Sequence, residues 1–243
     1  MLSIFCPYRN RPKLYKDFIR HYREHYPDAK IYMLEQDDSE KFKRGQLMNA
    51  GFKYLMEIGV FLDDILFADV DIRLEYTIDF QGILEECKTV VIPFNHLSLY
   101  DFVSIGEYKK IDKPTYFLSN PDGGVTVFKR DMFLKCNGFS NLYIGWGRED
   151  SDFVRRNTIT RVPNRMIHLE HKRDAEWKSP DFELNMKIFD EKLDYELDGF
   201  RQTTAKVSMF EVESNVFHLK IRDLGVTNDY VYKNKMKEHI DVG

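Results

Sequence analysis

Short apolar bursts alternate with amphipathic stretches along the first seventy residues, and this rhythm is the first clue to the architecture. Ile4 to Tyr8 is an apolar run followed by the polar Arg9-Asn10-Arg11, the pattern of a strand buried on both faces. Apolar residues then recur at helical spacing from Pro12 to His25, with Pro12 in the first turn, where its missing N–H costs nothing. A second strand is predicted at Ile31 to Glu35. A helix follows from Gly45 to Ile58, with Leu47, Met48, Phe52 and Leu55 on one face. Ile65 to Ala68 reads as a third strand. A β-α-β-α-β order implies a parallel sheet flanked by helices, with ligands at the C-terminal strand ends. Arg9, Asp69 and Asp71 fall at such ends.

The remainder is less regular. A helix is expected at Ile78 to Cys87 and a strand at Thr89 to Pro93, with Asn95 to Pro121 irregular. Gly123 to Phe128 reads as a strand, Arg130 to Cys136 as a short helix and Arg165 to Leu169 as a strand. The polar Lys172 to Glu183 leads into a helix over Leu184 to Leu197. Ala205 to Phe210 and Val216 to Ile221 pair as a hairpin. With no repeat, low-complexity tract or linker, one domain is expected over residues 1–243, its C-terminal helix and hairpin starting at about residue 184.

Composition narrows the classes. An apolar share of 43% and a charged share of 31% are ordinary for a globular chain. A net charge of -4 offers no basic field to attract nucleic acid. Three scattered cysteines, Cys6, Cys87 and Cys136, match neither a disulfide framework nor a zinc spacing and favour a reducing compartment. No apolar run is long enough for a transmembrane helix, and the first residues lack the basic lead of a signal peptide. The expectation is a cytoplasmic protein, with peripheral association at the inner face of a membrane left open.

Two stretches carry chemistry. Asp69-Val70-Asp71 follows an apolar strand, as acids that hold a divalent cation against a diphosphate do, although such acids more often cap the next element. Gly145-Trp146-Gly147-Arg148-Glu149-Asp150-Ser151-Asp152 offers an aromatic platform for a sugar and a carboxylate for a hydroxyl proton. The same acids also suit the first turn of a helix, where the dipole favours them. Arg9 and Arg11 are planar forks able to pair with phosphate or a nucleobase.

These segments occur in a recognisable order: Cys6-Pro7-Tyr8-Arg9-Asn10-Arg11-Pro12, then Phe42 to Phe52, Asp69-Val70-Asp71, Gly123-Gly124-Val125, and Asn137-Gly138-Phe139 leading into Gly145 to Asp152. His171-Lys172-Arg173-Asp174 and Asp198-Gly199-Phe200 extend the match. The set resembles the β-1,4-galactosyltransferase family over most of the chain, from Ile4 to about Gly225. The resemblance implies a GT-A fold, α/β with a mixed, mostly parallel sheet. It also implies a UDP-sugar donor, a saccharide or glycolipid acceptor, manganese (magnesium as the lesser choice) and inversion at the anomeric carbon. By the same resemblance Pro7, Arg9, Arg11, Phe42, Arg44 and Asp69 serve the donor. Trp146, Glu149 and Gly124 serve the acceptor, and Asp150 is the catalytic base. Asp71 and His171 bind the metal, with His168 a further candidate ligand. Imidazole added to an oxygen-rich site shifts the choice towards manganese. The Trp146 loop and Lys172 to Glu183 correspond to segments that close over the donor.

The chain departs from the family pattern in places. Two positions before Gly123-Gly124, where the family has an aromatic or aliphatic residue that helps choose the sugar, this chain has Pro121, followed by Asp122, so galactose is only the default donor. Arg148 and Ser151 replace a glycine and an acid. Asn185 falls in the stretch expected to receive an acceptor N-acetyl group, which disfavours N-acetylglucosamine. Two other functions compete: a UDP-N-acetylgalactosamine transferase of the chondroitin-synthase kind, and a non-catalytic sugar- or nucleotide-binding module.

Overall fold

The computed structural model describes residues 1–87, 89–104, 107–117, 122–169, 180–191 and 194–227. Its strands are β1 (Leu2–Tyr8), β2 (Lys30–Gln36), β3 (Asp64–Ala68), β4 (Ile72–Leu74), β5 (Val90–Ser104), β6 (Glu107–Phe117), β7 (Val125–Lys129), β8 (Ile159–His168), β9 (Thr203–Glu213) and β10 (Val216–Val226). Its helices are α1 (Pro12–His25), α2 (Arg44–Glu57), α3 (Phe80–Glu86), α4 (Arg130–Lys135), α5 (Glu149–Arg155) and α6 (Pro180–Asp190). The strands join one mixed sheet in the order β4-β8-β5-β7-β3-β1-β2-β10-β9, with β6 paired to β5. At its centre β1 runs parallel to both β2 and β3, as the β-α-β-α-β rhythm predicts. The C-terminal hairpin enters the same sheet, β10 lying parallel to β2.

Alternation along β1 divides the core between the two faces of the sheet. Ile4 and Cys6 join Ile31, Met33, Phe18 and Tyr22 on the α1 face. Phe5 joins Tyr32, Leu34, Phe52 and Phe67 on the α2 face. That second face is a phenylalanine cluster, in which Phe139 stacks on Phe153 at 4.3 Å and Phe52 meets Phe133 at 4.6 Å. Fully burying one such ring contributes roughly 1.5–3 kcal/mol, so this cluster anchors α2, α4 and α5 to the sheet.

Several boundaries differ from the sequence reading. The span taken as irregular, Asn95 to Pro121, holds most of β5 and all of β6 over its described part. Among the described residues β6 pairs with β5 alone, and an edge strand tolerates the charges that hide its alternation. β8 begins at Ile159 rather than Arg165, disguised by Arg161, Pro163 and Asn164. α6 begins at Pro180, with Asp181 and Glu183 in its acidic first turn. It ends at Asp190 instead of Leu197. His171, Pro121 and residues 172–179 of the expected closing segment lie outside the described residues.

Buried hydrogen bonds explain two motifs that have no place in the cavity. Asn49 bonds both ways with the backbone of Phe139, as donor at 2.8 Å and acceptor at 3.0 Å. Asp198 accepts from Asn141 N–H at 2.9 Å, and Phe200 N–H donates to Asn137 carbonyl at 2.6 Å. Asn137-Gly138-Phe139 and Asp198-Gly199-Phe200 therefore fasten the chain beneath α2. Among the described residues, no helix is long and apolar enough to cross a membrane.

Candidate active site

A cavity of about 380 Å³ opens at the C-terminal ends of β1 and β3. Every site residue expected from the sequence, His171 apart, lines it: Pro7, Arg9, Arg11, Phe42, Arg44, Asp69, Asp71, Gly124, Trp146, Glu149, Asp150 and His168. The sheet order dictates this convergence, because β1 and β3 are neighbours and Arg44 opens the helix that packs across them.

The two acids of Asp69-Val70-Asp71 diverge. A tight turn, closed by Ile72 N–H on Asp69 carbonyl at 3.0 Å, swings the chain into β4. β4 pairs with β8 so that Ile72 faces His168. Leu169 N–H donates to Asp71 carbonyl at 2.8 Å, and Asp71 Oδ2 lies 2.7 Å from His168 Nε2. Asp69 turns the other way, onto Arg44. Arg73 braces the turn from below. It donates to the carbonyls of Val70 and Ile72 at 3.0 and 2.8 Å and pairs with Asp17 of α1 at 2.9 Å. The sequence reading passed over Arg73, although a basic residue between Ile72 and Leu74 in a buried strand is its signal.

Arg44 is the electrostatic hub, only 8% exposed. Its Nε donates to Asp69 Oδ1 at 2.6 Å and its Nη1 to Asp150 Oδ1 at 2.5 Å, while Glu149 Oε1 stands 3.8 Å from Nη1. Three carboxylates thus share one cation in a buried setting. Burial opposes charge on Arg44, but its three acidic neighbours outweigh that and raise its pKa. The carboxyls respond oppositely. Burial, opposed by Arg44 and reinforced by Glu149 and Asp69, leaves Asp150 pushed up to about 8. Burial likewise raises Glu149 and Asp69, with Arg44 opposing.

Asp150 is confined as well as charged. A Cβ on Gly123 would sit 1.9 Å from Asp150 Oδ2, so only glycine allows the segment leading into β7 to approach α5 this closely. Asp152, the last acid of the motif, is fully buried and points away from the cavity. It pairs with Arg155 at 2.6 Å and Arg156 at 2.8 Å, which makes it a support of the helix.

The Trp146 loop is held from two sides. Gly145 N–H donates to Phe42 carbonyl at 2.8 Å. Asn185 Nδ2 donates to the carbonyls of Ile144 and Trp146 at 2.9 and 3.2 Å. The indole stacks on Phe182 at 5.5 Å, and Gly147, at φ +107°, leaves room for that ring. Asn185 is 1% exposed and is absent from the cavity wall. This amide fastens the loop. Arg148 is likewise drawn to α6, with its guanidinium 5.2 Å from the Phe189 ring.

At the mouth, Lys41 Nζ meets Asp181 Oδ1 at 2.5 Å, and the Arg9 guanidinium lies 5.6 Å from the Phe42 ring while bonding Glu40 carbonyl. Tyr8, Lys41 and Met166 are wall residues the sequence reading missed, and Asp181 comes from the stretch expected to close over the donor. Tyr8 alone had a signal, its place between Pro7 and Arg9.

Asp71 and His168 offer one oxygen and one nitrogen donor side by side. Among the described residues no group of three or more His, Cys, Asp or Glu is placed to share a cation. Two protein donors suit an ion that keeps its other positions for phosphate oxygens.

Family models match this chain in two blocks. Residues 1–78 match the N-terminal region of glycosyl transferase group 7, and residues 108–172 match a model described as the N-terminal domain of galactosyltransferase. Together they span more than half of the sequence. The chain belongs to the β-1,4-galactosyltransferase family. Mouse β-1,4-galactosyltransferase 4 is 34% identical over 165 residues, which are 66% of this chain and 43% of that protein. Human β-1,4-galactosyltransferase 7 is 30% identical over 162 residues, 64% and 43% of the respective chains. A β-N-acetyl-D-glucosaminide β-1,4-N-acetylglucosaminyl-transferase of Lymnaea stagnalis is 30% identical over 170 residues, 66% and 31%. The chain spans less than half the length of these curated relatives. The crystal structure of the catalytic domain of Drosophila β-1,4-galactosyltransferase 7 with xylobiose superimposes with a TM-score of 0.63 at 23% identity, over 94% of this chain and 95% of that one. The GT-A fold expected of the family is thus present.

Proposed function

We propose that this family member moves galactose, or a closely related hexose, from a UDP-sugar to a saccharide hydroxyl with inversion. The observation that carries the reading is the convergence of Asp71, His168, Arg44 and Asp150 on one cavity whose wall also holds Trp146. A mutant of the Drosophila protein has been crystallised with manganese, UDP-Gal and xylobiose, which supports the same substrate classes here.

Arg9, Arg11 and Phe42 receive the nucleotide, with Pro7 behind them, while Arg44 and Asp69 border the diphosphate and ribose. Asp71 and His168, together with His171, would hold manganese. When bound, the ion supplies Lewis-acid stabilisation of the departing diphosphate. Trp146 presents its ring to the acceptor sugar, Gly124 lets the acceptor approach the backbone, and Glu149 holds an acceptor hydroxyl. Asp150 takes the proton of the attacking hydroxyl as the sugar passes through an oxocarbenium-like state. A carboxyl held near neutral pKa is well matched to that task.

Donor identity has a second reading. The Lymnaea relative is named for N-acetylglucosaminyl transfer, and Pro121 stands where the family carries a sugar-selecting aromatic or aliphatic residue, so a UDP-N-acetylhexosamine, as in a UDP-N-acetylgalactosamine transferase of the chondroitin-synthase kind, is the alternative. We place the enzyme in the cytoplasm, at the inner face of a membrane where the acceptor is a glycolipid. The support is the three cysteines, all free.

The test is UDP release from a panel of UDP-sugars, with manganese or EDTA, with and without a pool of simple glycosides. Manganese-dependent, acceptor-stimulated release from one donor is expected. UDP binding without release from any donor, across a broad acceptor pool, would favour a binding module.

A further inference from the structure

Two departures from the family pattern, Asp122 and Ser151, meet in the fold. Ser151 Oγ donates to Asp122 Oδ2 at 2.9 Å, and Arg161 of β8 donates from Nη2 to Asp122 Oδ1 at 3.0 Å. Neither Asp122 nor Ser151 lines the cavity, yet each adjoins the confinement of Asp150. Asp122 precedes Gly123, whose Cα packs against the Asp150 carboxylate. Ser151 follows Asp150 on α5. Gly124 carbonyl accepts from Asp69 N–H at 2.9 Å, and Asp69 shares Arg44 with Asp150. The contacts close a ring around one carboxylate.

We propose that Asp122, Ser151 and Arg161 form a positioning network that fixes the Asp150 carboxylate against the Gly123-Gly124 turn for proton removal. The proposal rests on Asp150 being the base. Charge explains the residue types. An acid at position 151 would set its carboxylate against that of Asp122 at hydrogen-bond range, and like charges there repel. A serine hydroxyl instead donates, and Arg161 balances the acid. An ordinary surface turn would use the same bond without consequence for turnover, so the two roles differ in kinetics.

The experiment measures kcat and donor KM by UDP release for Ser151→Ala, Ser151→Thr, Ser151→Asp, Ser151→Asp with Asp122→Asn, and Ser151→Ala in an Asp150→Asn background. Ser151→Ala should lower kcat roughly 10-fold with donor KM unchanged, because small misplacements of a reacting group are costly. Ser151→Thr, which keeps the hydroxyl, should retain most turnover. Ser151→Asp should lose more, and Asp122→Asn should restore part of it, since its amide can donate to the new acid. In the Asp150→Asn background, Ser151→Ala should have no further effect, the signature of residues acting as one unit. Wild-type kcat in Ser151→Ala, or the same loss in both backgrounds, overturns the proposal. Wild-type turnover in Asp150→Asn alone instead removes the base assignment, and the network with it.

Discussion

The buried cluster around Arg44 makes the pH dependence of turnover the sharpest quantity to predict. Asp150 ionises at about 8 rather than the ordinary aspartate value of 3.8, because burial and two neighbouring acids outweigh one guanidinium. Each pH unit below the pKa removes tenfold of the ionised form, so only ~10% of the free enzyme carries the base at pH 7 and ~1% at pH 6. The logarithm of kcat/KM should therefore climb with a slope near one and level off above about pH 8.5, since kcat/KM reports the free enzyme. Initial rates of UDP release across that range, at saturating manganese, give the profile. Parallel calorimetry of donor binding separates any titration of the metal ligands. Asp150→Asn should lose ~10²–10⁴-fold in turnover, keep donor binding and lose the limb. A profile flat from pH 6 to 9, or the same limb in the variant, would refute the assignment. Stability carries the opposite sign. The native pKa lies above the unfolded one, so the stability tied to the protonated carboxyl is complete below about pH 4 and drains away as pH rises towards about 8. Asp150→Asn should thus raise the melting temperature at pH 8 and leave it nearly unchanged at pH 3.5.

Other perturbations test separate parts of the site. Gly123→Ala drives a methyl into the Asp150 carboxylate and should lower kcat ~10²-fold with donor affinity retained; unchanged kcat would mean that the base has room to spare. Asp71→Ala or His168→Ala should weaken manganese activation by more than the ~10–100-fold typical of lost outer-sphere partners, read from metal titrations of UDP release. Equal activation of the wild type and both variants would move the metal elsewhere. Asn185→Ala leaves the Ile144 and Trp146 carbonyls without their amide and should cost ~1–3 kcal/mol in chemical denaturation. It should also raise acceptor KM more than donor KM, whereas equal shifts would argue that the loop serves both substrates alike.

Much of the site was legible because its residues sit in short local signatures. A strand, a turn and two acids can be read from the seven consecutive letters Ile65 to Asp71, and the order of such signatures along the chain carries the family resemblance. Other features were not legible. Ser151 and Asp122 read as departures until the sheet brought them into contact. That the Asn185 amide is spent on the backbone carbonyls of the Trp146 loop has no signal in the letters around it. Asp152 is indistinguishable from Asp150 in sequence, although one is buried among arginines and the other faces the cavity. The β5–β6 hairpin was hidden because an edge strand need not alternate.

The sequence by itself determined the parallel centre of the sheet, the strand ends that carry chemistry and the identity of most cavity residues. Hydrophobic periodicity and turn residues act over a few positions, so they survive in one dimension. Only the tertiary structure decided that Arg44 serves Asp69 and Asp150 together, the latter 106 residues away, and that Asp150 is raised towards neutrality. Charge interactions depend on separation and on the water excluded around them, and both are properties of the packed chain.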